Sequence, residues 1–257
     1  MTPEAIAGAA RILTESRRRG QLLDALPAAL RPETLDDAHA IQEATATQLA
    51  EAIAGWKVSA TPDGRVARGA LLRSRLYPSG SRIAADAMPL LGVEAEIAFR
   101  FDRDLAPRGR PYDYDDVAAA VTAVPAIEVV DSRFRDYPNA PLLDRIADCM
   151  SNGAFIYGQA QASWRDCDLG ALDVELIIDE RSVVRRSGGH PTKDPLLPAV
   201  ALANDLRSGS GVRAGQIVTT GTYTGLNFAQ PGQTVRAVFH GFGAVAVQFD
   251  GARRVRS

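Results

Sequence analysis

The stretch Gly92-Val93-Glu94-Ala95-Glu96-Ile97-Ala98-Phe99-Arg100-Phe101 constrains this chain more than any other. Its residues alternate, so on a β-strand Glu94 and Glu96 point to one face while Val93, Ala95 and Ile97 point to the other. Two like charges then occupy neighbouring same-face positions, a repulsion relieved by open solvent, a cationic partner or a divalent metal. A second strand-like run, residues 126–134, offers Glu128 among apolar neighbours. Glu94, Glu96 and Glu128 together are the candidate ligands of an all-oxygen metal site.

Length and charge narrow the classes open to such a chain. A 257-residue chain can bury a sizeable core as one domain or as two lobes. A formal net charge of -2 with no long basic run argues against nucleic acid as a partner. Apolar runs break well before the ~20 residues that span a bilayer, and the amino terminus lacks a basic, cleavable leader. The expectation is therefore a soluble, cytoplasmic protein with no membrane partner. Cys149 and Cys167 make neither a disulfide framework nor a zinc cluster, which fits a reducing compartment. Of the 29 basic residues only Lys57 and Lys193 are lysine. Lys193 lies in a polar loop, whereas Lys57, between Trp56 and Val58, marks a position where a compact, titratable amine is wanted.

Local signals predict the element order. Thr2-Pro3-Glu4 opens a helix that Arg17-Arg18-Arg19-Gly20 closes, so the triple arginine reads as a helix end. Thr34 with Asp36 and Asp37 opens a second helix whose apolar period runs to residue 53, with His39 off that stripe and on the surface. Residues 55–59 read as a strand and 61–89 as mostly loop, a wall or lid for a site, with Arg73 and Arg75 solvating it or meeting an anionic substrate. A helix over 111–121 leads to the Glu128 strand. Asp131, at an odd spacing from Glu128, faces the other side and pairs Arg133 or Arg135. Strands at 174–179, 216–220, 235–240 and 244–250, a turn at 187–191 and a helix at 195–206 complete the chain. Many strands, with helices gathered towards the amino half, argue for α+β. There is no internal repeat, P-loop or dinucleotide fingerprint.

The sequences GWKVS, GVEAEIAF and PAIEVVDSRF, in that order, resemble the hydratase/decarboxylase branch of the fumarylacetoacetate hydrolase superfamily. The resemblance runs from the DDAHAIQ helix to the GFGAVAVQF strand, most of the chain. It implies a mixed β-roll, with residues 1–60 a helical portion packed on a metal-binding core of 61–257, or one continuous domain. It implies Mg²⁺ or Mn²⁺ on Glu94, Glu96 and Glu128, with Lys57 as general acid/base or holding the substrate carboxylate. Residues 146–155 are similar to the family's ADNASSG turn, with Cys149 in place of its asparagine. There Ser151 and Asn152 are candidate substrate contacts and Asp148, with Asp131, supports the site. TGTYTGL matches a glycine/threonine loop whose Thr222 and Thr224 suit a carboxylate. The family's paired acids after GxLL are missing, since Gly69-Ala70-Leu71-Leu72 is followed by Arg73-Ser74.

The activity so implied is hydration of a 2-hydroxy-2,4-dienoate to a 4-hydroxy-2-oxo acid, with a small 2-oxo or 2-hydroxy acid as substrate. The alternatives are decarboxylation of a 2-oxo-enedioate, then hydrolytic C–C cleavage, then a metal-stapled binding protein. Hydrolysis ranks low because no histidine lies in the interval that holds the glutamates. A homo-oligomer, and a decarboxylase partner from the same pathway, are the expected associations.

Overall fold

The computed structural model describes residues 1–60 and 65–251. Two helices come first, α1 (Pro3–Arg19) and α2 (Leu35–Gln48), then strands β1 (Ile53–Ala60), β2 (Val66–Leu72), β3 (Leu76–Pro78), β4 (Ser81–Ile83) and β5 (Gly92–Phe101). The middle of the chain supplies α3 (Tyr114–Ala118), β6 (Val121–Val130), α4 (Leu142–Ala147) and β7 (Asn152–Tyr157). It closes with β8 (Asp173–Ile178), β9 (Arg181–Ser187), α5 (Leu196–Leu206), β10 (Ile217–Thr222), β11 (Asn227–Phe228), β12 (Thr234–Phe239) and β13 (Gly243–Phe249).

Both amino-terminal helices start where their caps dictate. The Thr2 hydroxyl accepts from the Ala5 amide at 3.2 Å, and Gly20 ends α1 in the left-handed conformation that glycine tolerates. Thr34 and Asp37 form a reciprocal capping box at the start of α2. That helix stops at Gln48 rather than near residue 53, because Ala50 turns left-handed (φ 57°) and the chain enters β1, whose Ile53 pairs with Leu72 of β2. The α3 helix is likewise shorter than its pattern, starting at the Asp113 cap and lasting five residues.

The strands form two mixed sheets. The larger has the order β2-β1-β10-β5-β6-β7-β3, with β11 added to β5, and the smaller the order β4-β13-β12-β8-β9. Its longest pairing is β5 with β6, antiparallel over ten residues, in a register that sets Glu94 directly opposite Glu128. β1 lies parallel to β10, which in turn pairs with β5. The apolar faces of both sheets close on one core containing Val93, Ala95, Ile97, Phe99, Leu176, Val235 and Phe249. A second apolar cluster, with Leu13, Ile41, Phe134 and Ile146, joins α1, α2 and α4.

Three expectations are corrected. The segment after β1 is not mainly loop: residues 61–64 lie outside the described chain, but β2, β3 and β4 follow, and β3 and β4 pair with β7 and β13 far along the sequence. His39 is buried, because β2 crosses α2 there and the Arg68 amide donates to His39 Nε2 at 3.2 Å. Arg17 is not merely a helix end, since its guanidinium binds the Asp148 carboxylate at 2.8 Å. The fold class itself is as expected, an α+β mixed β-roll with its two longer early helices at the amino end. Among the described residues no helix is long and apolar enough to cross a membrane.

Candidate metal centre

Alternation along β5 puts Glu94 and Glu96 on one face, and the antiparallel register brings Glu128 of β6 beside Glu94. One oxygen from each of the three carboxylates lies within 4.8 Å of the others. Oxygens on a hard divalent ion sit about 2.0–2.6 Å from it, so small side-chain rotations suffice for all three to share one. Glu96 and Glu128 are buried, and Glu128 Oε2 has no hydrogen-bond partner. A buried, unpaired carboxylate oxygen facing two more carboxylates is the donor set of a hard cation, and the residues fit that group.

Lys57 comes from β1, three strands from β6 in the sheet. Across a flat sheet that separation would be about 14 Å. The Lys57 amine nevertheless donates to Glu128 Oε1 at 2.9 Å, so the sheet is curled with the carboxylates on its concave side. Burial alone would lower the Lys57 pKa, but the charges of Glu128, Glu94 and Glu96 outweigh it and raise it well above the ordinary lysine value. Burial pushes Glu94 up to about 7, Lys57 partly opposing, and pushes Glu96 up to about 8 with help from the neighbouring carboxylates. Without a cation the cluster holds protons that a cation would displace.

The surrounding groups fix the ligands. The Thr219 hydroxyl donates to Glu96 Oε2, which also accepts from the Gly221 amide at 3.4 Å. Asn152 Nδ2 donates to Glu128 Oε1 at 3.2 Å. Asp148 carries no contact to the cluster; it binds Arg17 and Arg133, each at 2.8 Å. Asp131, just past the end of β6, pairs with Arg133 at 3.1 Å, as expected.

A cavity of about 560 Å³ opens over the cluster, walled by Lys57, Glu94, Glu96 and Thr222 among others. Ser151, Asn152 and Thr224 are not among the residues that wall it. The Ser151 hydroxyl is buried without a partner, and Thr224 Oγ1 accepts from the Ala95 amide at 3.0 Å. Cys149, Met150 and Ser151 run left-handed in succession (φ 56°, 51° and 58°), a strained turn that seats Met150 in the cavity wall. It can approach β2 because position 69 is glycine: a Cβ there would lie 2.5 Å from the Cys149 carbonyl oxygen and 2.7 Å from Met150 Cβ.

Sequence reading passed over Thr219, Gly69, Met150 and the α5 residues Leu197 and Ala201 of the wall. Thr219 had a findable signal, standing just ahead of the glycine/threonine loop. For the others the chain carries no local one, since their place depends on which strands and helices meet. None of the three histidines lines the cavity. His39 is bound to Arg68, His240 lies 3.8 Å from Glu175, and buried His190 stacks on Tyr223 with Nδ1 accepting from the Thr192 amide at 3.3 Å.

A curled mixed sheet with three carboxylates and a lysine converging on its concave face defines an α+β metal-site roll. No protein-family model matches the chain. It is 35% identical over 182 residues to 2-keto-4-pentenoate hydratase of Burkholderia vietnamiensis, across 70% of this chain and 69% of that protein. It is 31% identical over 261 residues to 2-keto-4-pentenoate hydratase 2 of Dechloromonas aromatica, across 97% of this chain and 98% of that one. In fold it matches 4-oxalocrotonate decarboxylase from Pseudomonas putida G7, solved with magnesium and adipate, at a TM-score of 0.84 and 23% identity over 97% of this chain and 98% of that one. The chain belongs to the hydratase/decarboxylase branch of the fumarylacetoacetate hydrolase superfamily.

Proposed function

We propose that the protein is a divalent-metal-dependent hydratase. It adds water to a 2-hydroxy-2,4-dienoate, by way of its 2-oxo form, to give a 4-hydroxy-2-oxo acid in the breakdown of aromatic compounds. The observation that carries this reading is the convergence of Glu94, Glu96 and Glu128 within 4.8 Å, with Lys57 2.9 Å from Glu128. Hydratase relatives at 35% and 31% identity support it.

Glu94, Glu96 and Glu128 would hold Mg²⁺ or Mn²⁺. When bound, that ion supplies positive charge that steadies electron density on the C2 oxygen of a 2-oxo acid as a proton moves at the neighbouring carbons. Thr219 and Asn152 keep Glu96 and Glu128 in position for it. Lys57 stays protonated, so it begins the cycle as a cation that holds the substrate carboxylate or gives up a proton. Thr222, on the cavity wall, offers a hydroxyl to the carboxylate end.

Hydrolytic cleavage by a histidine base finds no support, because His39, His190 and His240 are all engaged elsewhere. Two free cysteines, one of them buried, fit a cytoplasmic setting. Assembly into a homo-oligomer, and pairing with a decarboxylase of the same pathway, belong to this proposal. The test is to incubate the Mg²⁺-loaded protein with 2-hydroxypenta-2,4-dienoate and identify the product by mass. A product heavier by one water, formed only with metal, is the expected result. Carbon dioxide from an enedioate, with no hydration of the dienoate, would overturn it in favour of decarboxylation.

A further inference from the structure

The cavity over the carboxylates is lined by residues of two kinds. Lys57, Glu94 and Glu96 are charged, and the acid group of a substrate belongs beside them. Val66, Met150, Pro191, Leu197, Pro198 and Ala201 are apolar. These six apolar residues come from β2, the strained turn before β7, the segment ahead of α5 and α5 itself. No ligand of the metal requires them.

Size and charge say what this lining accepts. The five-carbon dienoate has eight non-hydrogen atoms, which at the ~30 Å³ that a water occupies in the liquid need no more than about 240 Å³. Less than half of the 560 Å³ cavity is then filled. A second carboxylate against this apolar lining would lose water contacts and would need a cation. Lys57 is the only Lys or Arg among the described residues that wall the cavity, and it is bound to Glu128. The sequence at positions 61–64, Thr-Pro-Asp-Gly, contains no basic residue. Arg65 binds Asp36 at 2.8 Å, and Arg68 binds Glu43 and Asp205 at 3.0 and 2.6 Å.

We infer that the substrate is a monocarboxylate carrying an extended apolar tail, longer than the five-carbon dienoate, with Met150, Leu197 and Ala201 as the residues that select for it. This rests on the hydratase reading and sharpens it: a 2-oxo-enedioate is disfavoured by the apolar lining, although the metal treats both acids alike.

Saturated 2-oxo acids separate this inference from the reading beneath it, since they carry the chelating end but have no double bond to hydrate. Calorimetric titration of the Mg²⁺-loaded full chain would use 2-oxopentanoate, 2-oxooctanoate and 2-oxohexanedioate. We expect 2-oxooctanoate to bind at least about tenfold more tightly than 2-oxopentanoate, as three added methylenes leave water. The diacid should bind most weakly. Leu197→Arg is the informative variant, because Leu197 is 47% exposed and a longer polar side chain there leaves the core intact. It should weaken 2-oxooctanoate and tighten 2-oxohexanedioate, each about tenfold. Equal binding of the two monoacids, or tightest binding of the diacid by the unaltered chain, would overturn the tail inference while leaving the metal and 2-oxo-acid chemistry standing. Failure of all three acids to bind would overturn both.

Discussion

Lys57 donates to Glu128 Oε1 at 2.9 Å while the second oxygen of the same carboxylate is left without a partner. One oxygen is thus neutralised by an amine and the other is open to a cation, which makes Lys57 part of the metal site rather than a neighbour of it. Lys57→Arg keeps the charge but replaces a compact amine with a planar fork that needs a different space. We expect kcat to fall on the order of 100-fold, with a much smaller change in substrate affinity. A variant with near-normal kcat in steady-state assays would remove Lys57 from proton transfer.

Glu96→Gln should leave the protein folded, because the Thr219 hydroxyl and the Gly221 amide can still donate to the remaining amide oxygen. What is lost is negative charge at an ion that selects charged oxygens. Metal-dependent turnover should drop by about 100-fold or more, and the rise in Tm on adding Mg²⁺ should shrink. Circular dichroism with and without metal checks both the fold and the loss. Full turnover in a folded variant would take Glu96 out of the site.

Protons and the cation compete for the same carboxylates. Glu94 and Glu96 have folded pKa values raised to about 7 and about 8, above their ordinary value of 4.5. Acids raised in this way favour the metal-free fold at low pH, and that contribution is lost as pH climbs from about 4.5 through 8. The metal-free protein should therefore show a falling Tm over this window, as far as these two groups decide it. Cation binding should strengthen in the same direction, by about tenfold per pH unit for each proton displaced. Thermal melts at pH 6 and pH 8, with and without Mg²⁺, would show a larger metal-induced shift at pH 8. A larger shift at pH 6 would contradict the protonation of the cluster.

How much of this was legible in the sequence depended on whether the governing contact was local. The alternation of Glu94 and Glu96, the pairing of Asp131 with Arg133, and the caps at Thr2 and Thr34 are set within a few residues and read correctly. Ser81 and Leu76 begin strands whose partners, Val247 and Phe155, lie more than seventy residues away, so the segment looked like loop. His39 stands off the apolar stripe of its helix and is buried only because β2 passes over it. No helical period contains that information. The turn at Cys149–Ser151 is further from legibility, because three left-handed residues without a glycine among them run against local preference. Glycine appears instead at position 69, on the strand the turn packs against.

Asp148 anchors α1 to the strand end behind the site, binding Arg17 and Arg133 with all three groups buried. Arg133 in turn reaches the carbonyl of Asn152, whose amide holds Glu128. Asp148→Ala takes from Arg17 its carboxylate partner and leaves Arg133 with Asp131 alone, and removing one partner from such a buried cluster costs about 3–5 kcal/mol. Denaturant unfolding should show a loss of this size, with weaker metal binding in whatever remains folded. A loss below about 1 kcal/mol would mean that water replaces the carboxylate at little cost.

The claim on which the rest stands is that Glu94, Glu96 and Glu128 share one divalent ion. Crystals grown with Mn²⁺ and measured at the manganese absorption edge test it directly, because the anomalous signal locates the ion without reference to activity. The expected result is a single strong peak with an oxygen from each of the three carboxylates about 2.0–2.6 Å away and Lys57 close to Glu128. Manganese bound elsewhere, with the three carboxylates left to Lys57 and protons at saturating metal and pH 8, would contradict it.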